Sequence, residues 1–260
     1  MPTRPLTAKS VSVHPRTLLP TILPPLAFCL LIAVAPTAAL AQSCATRPPP
    51  PKVEVKTAQS DVLASEELSF SELTRMFRKP GAHPAGLYIG AISVAQAIQY
   101  RWVNDGREIC VSIDKIEVTL TLTDPKIFIG RELEDDGCSR ESVWRHEIVH
   151  YRIDQDVLAR FTPVIQRAVE FAAKQAGGQV AKRENDVNRI GERMARTVRQ
   201  HLDRASRDMQ ADRDSLHDRL DSREEYARTG KVCTGGAALG NSMPVLCASE
   251  PRLCTNLEKP

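Results

Sequence analysis

Two histidines four residues apart, with a glutamate directly after the first, are the residues of this chain whose types and spacing best suit chemistry. His146, Glu147 and His150 stand in the order His-Glu-x-x-His. On an α-helix, residues four apart lie on the same face, so both imidazoles can bind one zinc ion. The glutamate can then take a proton from a water molecule that attacks a carbonyl. The spacing therefore predicts a hydrolytic zinc site.

The residues around the motif predict the helix that such a site needs. Ser139 is a favourable N-cap, Glu141 suits the first turn, and neither Pro nor Gly interrupts the chain before Pro163. Val143 and Trp144 give the motif the uncharged flank that zinc sites of this kind usually have. The alternative interpretation is a buried amphipathic helix whose two histidines only form hydrogen bonds to their neighbours.

The first 41 residues have the features of a secretory signal peptide. A cationic start precedes an apolar run of ten residues, Leu26 to Ala35, and the small-x-small cleavage site Ala39-Leu40-Ala41. The apolar run is too short to span a bilayer. No later segment reaches transmembrane length, so we expect an exported mature chain, periplasmic or secreted, without a membrane span.

The charge balance and the cysteines support the same setting. The leader carries three basic and no acidic residues, so 32 of each remain and the net charge falls from +3 to zero. A neutral chain gives no reason to expect a nucleic-acid partner. An even set of cysteines in an exported chain predicts up to three disulfides. We expect Cys110 to pair with Cys138, and the full set is Cys44, Cys110, Cys138, Cys233, Cys247 and Cys254.

Composition divides the mature chain into three parts. Residues 42–52 contain four consecutive prolines and predict a stiff, extended spacer. Residues 53–229 are expected to form one zinc-protease-like domain. Residues 230–260 hold three cysteines and are expected to be a disulfide-pinned tail.

Hydrophobic periodicity predicts an α+β domain in which a small antiparallel sheet precedes the motif helix. Ser69-Phe70-Ser71-Glu72 is typical of a capping box and opens a short helix through Phe77, which Lys79-Pro80-Gly81 should stop. Apolar alternation begins near Leu87 and turns at Asn104-Asp105-Gly106. Its phase slips at Asp114-Lys115, which indicates either a β-bulge or a break between two strands.

After the motif the pattern is helical almost to the end of the chain. Apolar residues continue as far as Gly177-Gly178. A long charged segment follows with one apolar stripe, typical of a helix packed on the domain or of a coiled coil. The stripe consists of Val187, Ile190, Met194, Val198, Leu202 and Met209.

A zinc site of this kind needs a third protein ligand, and helix geometry argues against the nearest carboxylates. Asp154 lies eight residues past His146, about 12 Å along the helix axis. It is too distant to share the ion but suits a supporting partner. Asp156 is rotated about 240° from His150 and faces away. The ligand should therefore come from the later helix, where the candidates are Glu184, Glu192, His201, Asp212, Asp214 and His217.

Residues from about 68 to 226 resemble a family of exported bacterial zinc-dependent proteases catalogued as a domain of unknown function. The resemblance rests on the motif, on strands around Cys110, and on the downstream run Asp212-Arg213-Asp214-Ser215-Leu216-His217. This family has a zincin-like active-site helix. The resemblance favours His217 as third ligand, with Asp214 as the alternative ligand or a supporting partner.

These features predict a zinc-dependent metallopeptidase acting on proteins or peptides. His146, His150 and His217 would hold Zn²⁺, and Glu147 would act as general base and then as proton donor. Tyr226, His201 and an arginine are all candidates to stabilise the oxyanion. The alternative is a non-catalytic periplasmic binding or scaffold protein with a structural or vestigial zinc site. Glu147 favours the enzyme, because a structural site needs no carboxylate between its histidines.

Overall fold

A mixed sheet and two long helices form the part of the chain that the structure describes. This structure is a computed structural model that describes residues 49–77, 83–104, 106, 108–233, 244 and 246–255, with 229–232 described by their backbone alone. The predicted signal peptide, most of the spacer and the Lys79-Pro80-Gly81 stop lie outside these residues. The predicted α+β class is confirmed.

Strand β4 (Ile109–Ile129) is the centre of the sheet. Strand β3 (Gly86–Asn104) pairs with it antiparallel along its whole length. The other edge of β4 pairs with β5 (Gln179–Ala181) antiparallel, and with β1 (Lys52–Gln59) and β2 (Leu63–Ser65) in parallel. The expected antiparallel pairing is therefore correct for β3 and β4, but the sheet as a whole is mixed. The prediction omits the parallel strands β1 and β2, and it omits β5, which follows the motif helix.

The β3–β4 hairpin agrees with the sequence in both its turn and its irregularity. Asn104 pairs with Ile109, and its side-chain oxygen accepts from Gly106 N at 2.9 Å. Gly106 has a φ of 85°, a conformation that favours glycine. The register shifts beside Tyr100 and leaves no β3 residue directly opposite Asp114 in the backbone pairing, so the predicted slip is a bulge within one strand.

The motif helix is α2 (Gly137–Ala176), and the short helix α1 (Phe70–Phe77) lies between β2 and β3 in the chain. The capping box of α1 is confirmed, because Ser69 N donates to the Glu72 carboxylate at 2.8 Å. Helix α2 begins two residues before the expected N-cap Ser139. Its N-cap is Asp136, whose carboxylate accepts from the Ser139 N–H at 3.0 Å.

Helix α3 (Asn185–Leu220) packs its apolar stripe against the domain. All six predicted stripe residues are buried in the core that α3 shares with α2 and with the inner face of β4. A helix packed on the domain is therefore the correct interpretation of this segment. Within the described part of the chain, none of the helices combines the length and apolar character that crossing a bilayer requires.

Helix α4 (Arg223–Val232) returns the chain to the start of α2, where a disulfide joins Cys138 to Cys233. The expected Cys110–Cys138 bridge is therefore wrong, although Cys110 is disulfide-bonded. The positions of the cysteines in the sequence did not predict the Cys138–Cys233 bond, because this pairing depends on how α3 and α4 return the chain to the start of α2. In the tail, Cys247 in α5 (Leu246–Ser249) bonds to Cys254 in the 3-10 helix Pro251–Cys254.

Candidate metal centre

Helix α2 and the end of α3 bring three possible metal-binding side chains together. His146 Nε2 and His150 Nε2 lie 3.2 Å apart on one face of α2. Asp221 Oδ1 lies 3.1 Å from each of these nitrogens. Among the described residues, these three form the group of histidine, cysteine and acidic side chains close enough to share one metal ion.

The donor atoms of this group suit zinc. A triangle with sides of 3.1–3.2 Å has corners about 1.8 Å from its centre, which is close enough for all three atoms to hold one ion, since zinc binds such nitrogen and oxygen atoms at about 2.0–2.2 Å. Two imidazoles and one carboxylate, with a position left for water, are also a donor set that catalytic zinc sites use. The residues therefore fit the ion that the motif predicts.

Burial and hydrogen bonds determine the protonation of each side chain in the group. Burial by itself lowers the pKa of His146, but hydrogen bonds to Asp221 and Glu225 raise it to about 10. Burial lowers the pKa of His150 to about 4, so this ring is neutral. Burial alone raises the pKa of Asp221, whereas hydrogen bonds with the two histidines hold it well below its usual range. Asp221 is thus an anion in the position of a ligand.

Glu225 in helix α4 contacts His146 on the side of the ring that faces away from the group. Its carboxylate is buried and lies 3.2 Å from His146 Nδ1, the nitrogen that faces away from the group. Arg228 donates to the same carboxylate from one turn further along the helix. A carboxylate on the outer nitrogen of a metal-binding histidine fixes the tautomer whose other nitrogen can bind the ion.

Glu147 is buried beside the group, where α2 meets the start of β3. The Tyr88 backbone N–H donates to its carboxylate. Burial raises the pKa of Glu147 to about 7, which suits a group that must both accept and return a proton near neutral pH. Gly86 permits this approach, since a Cβ there would lie 2.9 Å from Glu147 Oε1.

His217 and Asp154 lie on the Nδ1 side of His150, away from the group. His217 Nδ1 lies 2.6 Å from His150 Nδ1, on the opposite side of that ring from Asp221. His217 Nε2 lies 2.9 Å from Asp154 Oδ1. Asp214 is 62% exposed and accepts from Gln210, so it is not part of the group. In this arrangement Asp221, rather than His217 or Asp214, stands beside both motif histidines.

Sequence reasoning missed Asp221 and Glu225. Asp221 follows the last residue of α3 and has φ −82° and ψ 27°, outside the helical repeat by which the candidates were judged. The signal for Glu225 is local: Ser222 and Glu225 have capping-box spacing at the start of α4, and Ser222 Oγ accepts from Glu225 N at 3.2 Å.

One cavity of about 680 Å³ is lined by His146, Glu147, His150 and Asp221. Tyr226 lies at its wall with its ring centroid 6.4 Å from that of His146. Burial and the charges of Asp221 and Glu147 raise the Tyr226 pKa to about 12, so its hydroxyl is a hydrogen-bond donor at neutral pH. His201 is not at the cavity, because it contacts Gln175 on the outer side of α3.

No family model, curated protein or solved structure matches this chain. The chemical interpretation of the centre therefore rests on its own atoms. These are two imidazole nitrogens, one carboxylate oxygen and a buried glutamate at a common cavity.

Proposed function

We propose that this chain is an exported zinc-dependent metallopeptidase, with the zincin-like active-site helix of the protease family that its motifs resemble. One observation carries the proposal: the His146, His150 and Asp221 donor atoms form a triangle beside Glu147. A structural zinc site has no use for a buried glutamate with a pKa near 7 at the same cavity. The two described disulfides agree with an oxidising, periplasmic or secreted location.

The chemistry divides between the ion and the side chains. Zinc, when bound, supplies Lewis acidity toward a water molecule and the substrate carbonyl. His146, His150 and Asp221 would hold it. Glu147 takes a proton from the attacking water at its carboxylate and returns it to the nitrogen of the departing amine. The Tyr226 hydroxyl can donate a hydrogen bond to the carbonyl oxygen as negative charge develops there.

Strand β3 offers a way to hold a peptide at this site. Among the described strands it pairs only with β4, so its other edge faces the cavity through residues Gly86 to Gly90. An extended substrate can add to such an edge through backbone hydrogen bonds. Two backbone groups of this edge are already bound by side chains of the protein. The Tyr88 N–H donates to Glu147, and Gly90 O accepts from Arg213 at 2.9 Å. Peptide binding at these positions must therefore displace them.

Hydrolysis of a mixed peptide library by the zinc-loaded mature chain tests the proposal, with product ends identified by mass spectrometry. Wild type should cleave peptides, and Glu147→Gln should keep zinc but lose activity by a factor of about 10² or more. Glu141→Gln is the matched control, since it neutralises a carboxylate of the same helix that pairs with Arg145 instead. A chain that binds zinc without any Glu147-dependent hydrolysis would be a binding or scaffold protein.

A further inference from the structure

Three buried groups form a hydrogen-bonded chain behind the second metal-binding histidine. His150 Nδ1 lies 2.6 Å from His217 Nδ1, and His217 Nε2 lies 2.9 Å from Asp154 Oδ1. Asp154 is completely buried. The His150 nitrogen in this chain is not the one that faces His146 and Asp221. The chain therefore ends on the reverse side of the proposed zinc position.

Asp154 is a fixed acceptor at the far end of this chain. Arg213 donates to both of its oxygens, at 2.6 and 2.9 Å. The Tyr88 hydroxyl donates to Oδ2 at 2.8 Å. A carboxylate held by a two-pronged guanidinium is an anion and can only accept hydrogen bonds. His217 must therefore carry its proton on Nε2 and donate it to Asp154.

This order suits the proton positions that a metal-bound His150 needs. An imidazole that holds an ion through Nε2 carries its proton on Nδ1. In His150 that proton faces His217 Nδ1, 2.6 Å away, which can accept it because His217 donates from Nε2 to Asp154. Without the ion, the Asp221 carboxylate lies 3.1 Å from His150 Nε2 and competes for a proton there. Two hydrogen bonds thus favour the tautomer of His150 that binds a metal.

Ring packing holds the same groups in place. The His150 and His217 rings are nearly parallel, with centroids 4.9 Å apart and planes 12° apart, and this orientation suits a hydrogen bond between ring nitrogens. Tyr88 stacks on both with centroids at 6.2 Å. Gly90 leaves the room that this needs, because a Cβ there would lie 2.2 Å from the Tyr88 hydroxyl.

We infer that His217 is a positioning residue that transmits the fixed hydrogen-bond order of Asp154 to His150, so that His150 Nε2 is preset to bind the ion. The inference rests on the zinc site of the proposed function but not on peptidase activity. It differs from the ligand role that the sequence favours for His217. A ligand would have to face His146 and Asp221, and His217 faces the opposite nitrogen of His150.

Zinc affinity, measured by competition with a chromophoric chelator, tests this role. His217→Phe keeps a ring but removes both nitrogens, and should weaken zinc binding by about 10- to 100-fold, the usual effect of losing such a partner. His217→Gln can accept from His150 and donate to Asp154, so it should recover part of the affinity. His201→Phe is the control on the same helix, since His201 contacts Gln175 far from this chain of groups, and it should bind like wild type.

Nitrogen-15 NMR of the zinc-loaded protein gives an independent readout of the hydrogen-bond order. His150 should be protonated at Nδ1 and His217 at Nε2, with the His150 proton donated to His217 Nδ1. Wild-type affinity in His217→Phe, or a zinc-loaded wild type whose His217 is protonated at Nδ1, would overturn the inference. Loss of zinc as complete as in His146→Ala, without recovery in His217→Gln, would show that His217 is a ligand instead. A wild type that fails to bind zinc would remove the proposed function, while the His217 tautomer in the metal-free protein would still test its hydrogen bond to Asp154.

Discussion

Replacing Gly86 by alanine should damage both the stability of the domain and the position of Glu147. A Cβ at Gly86 would lie 2.4 Å from Val143 Cγ1 and 2.9 Å from Glu147 Cγ. Val143 is β-branched and has little freedom to rotate away within α2. Strand β3 is also held in place, because Gly86 pairs with Ile129 in β4. Something must therefore shift at the junction between the strand and the motif helix.

The size of this effect follows from the tightness of the contact. One extra methyl group in a packed site costs about 1–3 kcal/mol, which corresponds to about 2–12 °C in the melting temperature of a domain this large. A displacement of about 1 Å at a catalytic group can lower activity about 100-fold. Thermal unfolding followed by circular dichroism measures the first, and peptide hydrolysis the second.

Gly137→Ala is the matched control for this substitution. Gly137 is the first residue of α2, and a Cβ there has no neighbour within 4 Å. Its melting temperature should stay equal to wild type or rise slightly, because alanine favours helix more than glycine does. Equal melting temperatures for Gly86→Ala and Gly137→Ala, with hydrolysis intact in both, would refute the close approach of β3 to Glu147.

Three further predictions concern the groups around the centre. Asp154→Ala should lower the free energy of unfolding in urea by about 3–5 kcal/mol, because it removes the buried carboxylate that pairs with the largely buried Arg213 guanidinium. A reduction near zero would contradict this pairing. Because burial raises the Glu147 pKa from 4.5 to about 7, the folded metal-free chain binds more protons there than the unfolded chain does. Glu147 should therefore reduce stability, on the order of 3 kcal/mol, as pH rises through this window, and urea titrations of Glu147→Gln should lack that loss. Removing the Cys138–Cys233 bridge by a double alanine substitution should cost about 2–5 kcal/mol, since the bond closes a loop with a sequence separation of 95. An unchanged melting temperature after this substitution would contradict the pairing. So would a variant whose melting temperature falls as far as that of wild type when reductant is added.

Local patterns were sufficient to predict the elements that depend on neighbouring residues. The capping box at Ser69 and the phase slip at Asp114 are each set by a few adjacent side chains, although the slip alone did not distinguish a bulge from a break between strands. The spacing of His146 and His150 on one helix face is fixed by the helical repeat. Strand β1 was missed because its burial comes from parallel pairing with distant β4, and Val53 and Val55 alone are a weak signal.

The remaining parts of the site depend on tertiary geometry. Asp221 reaches the motif histidines because α3 ends one residue earlier, at Leu220, and packs chiefly on α2. No periodicity in the sequence reports where that packing places the end of α3. The run ending in His217 lies at the same end of α3 as Asp221. Four residues, about one helical turn, separate the favoured His217 from Asp221.

The zinc content of the purified mature chain and of Asp221→Ala tests the central claim most directly. Mass spectrometry of metals, combined with chelator competition, gives both stoichiometry and affinity. The account predicts about one zinc ion per wild-type chain, held by three protein ligands, and severe loss of zinc in Asp221→Ala. A wild type without bound zinc, or an Asp221→Ala variant that binds it as tightly as wild type, would contradict the site.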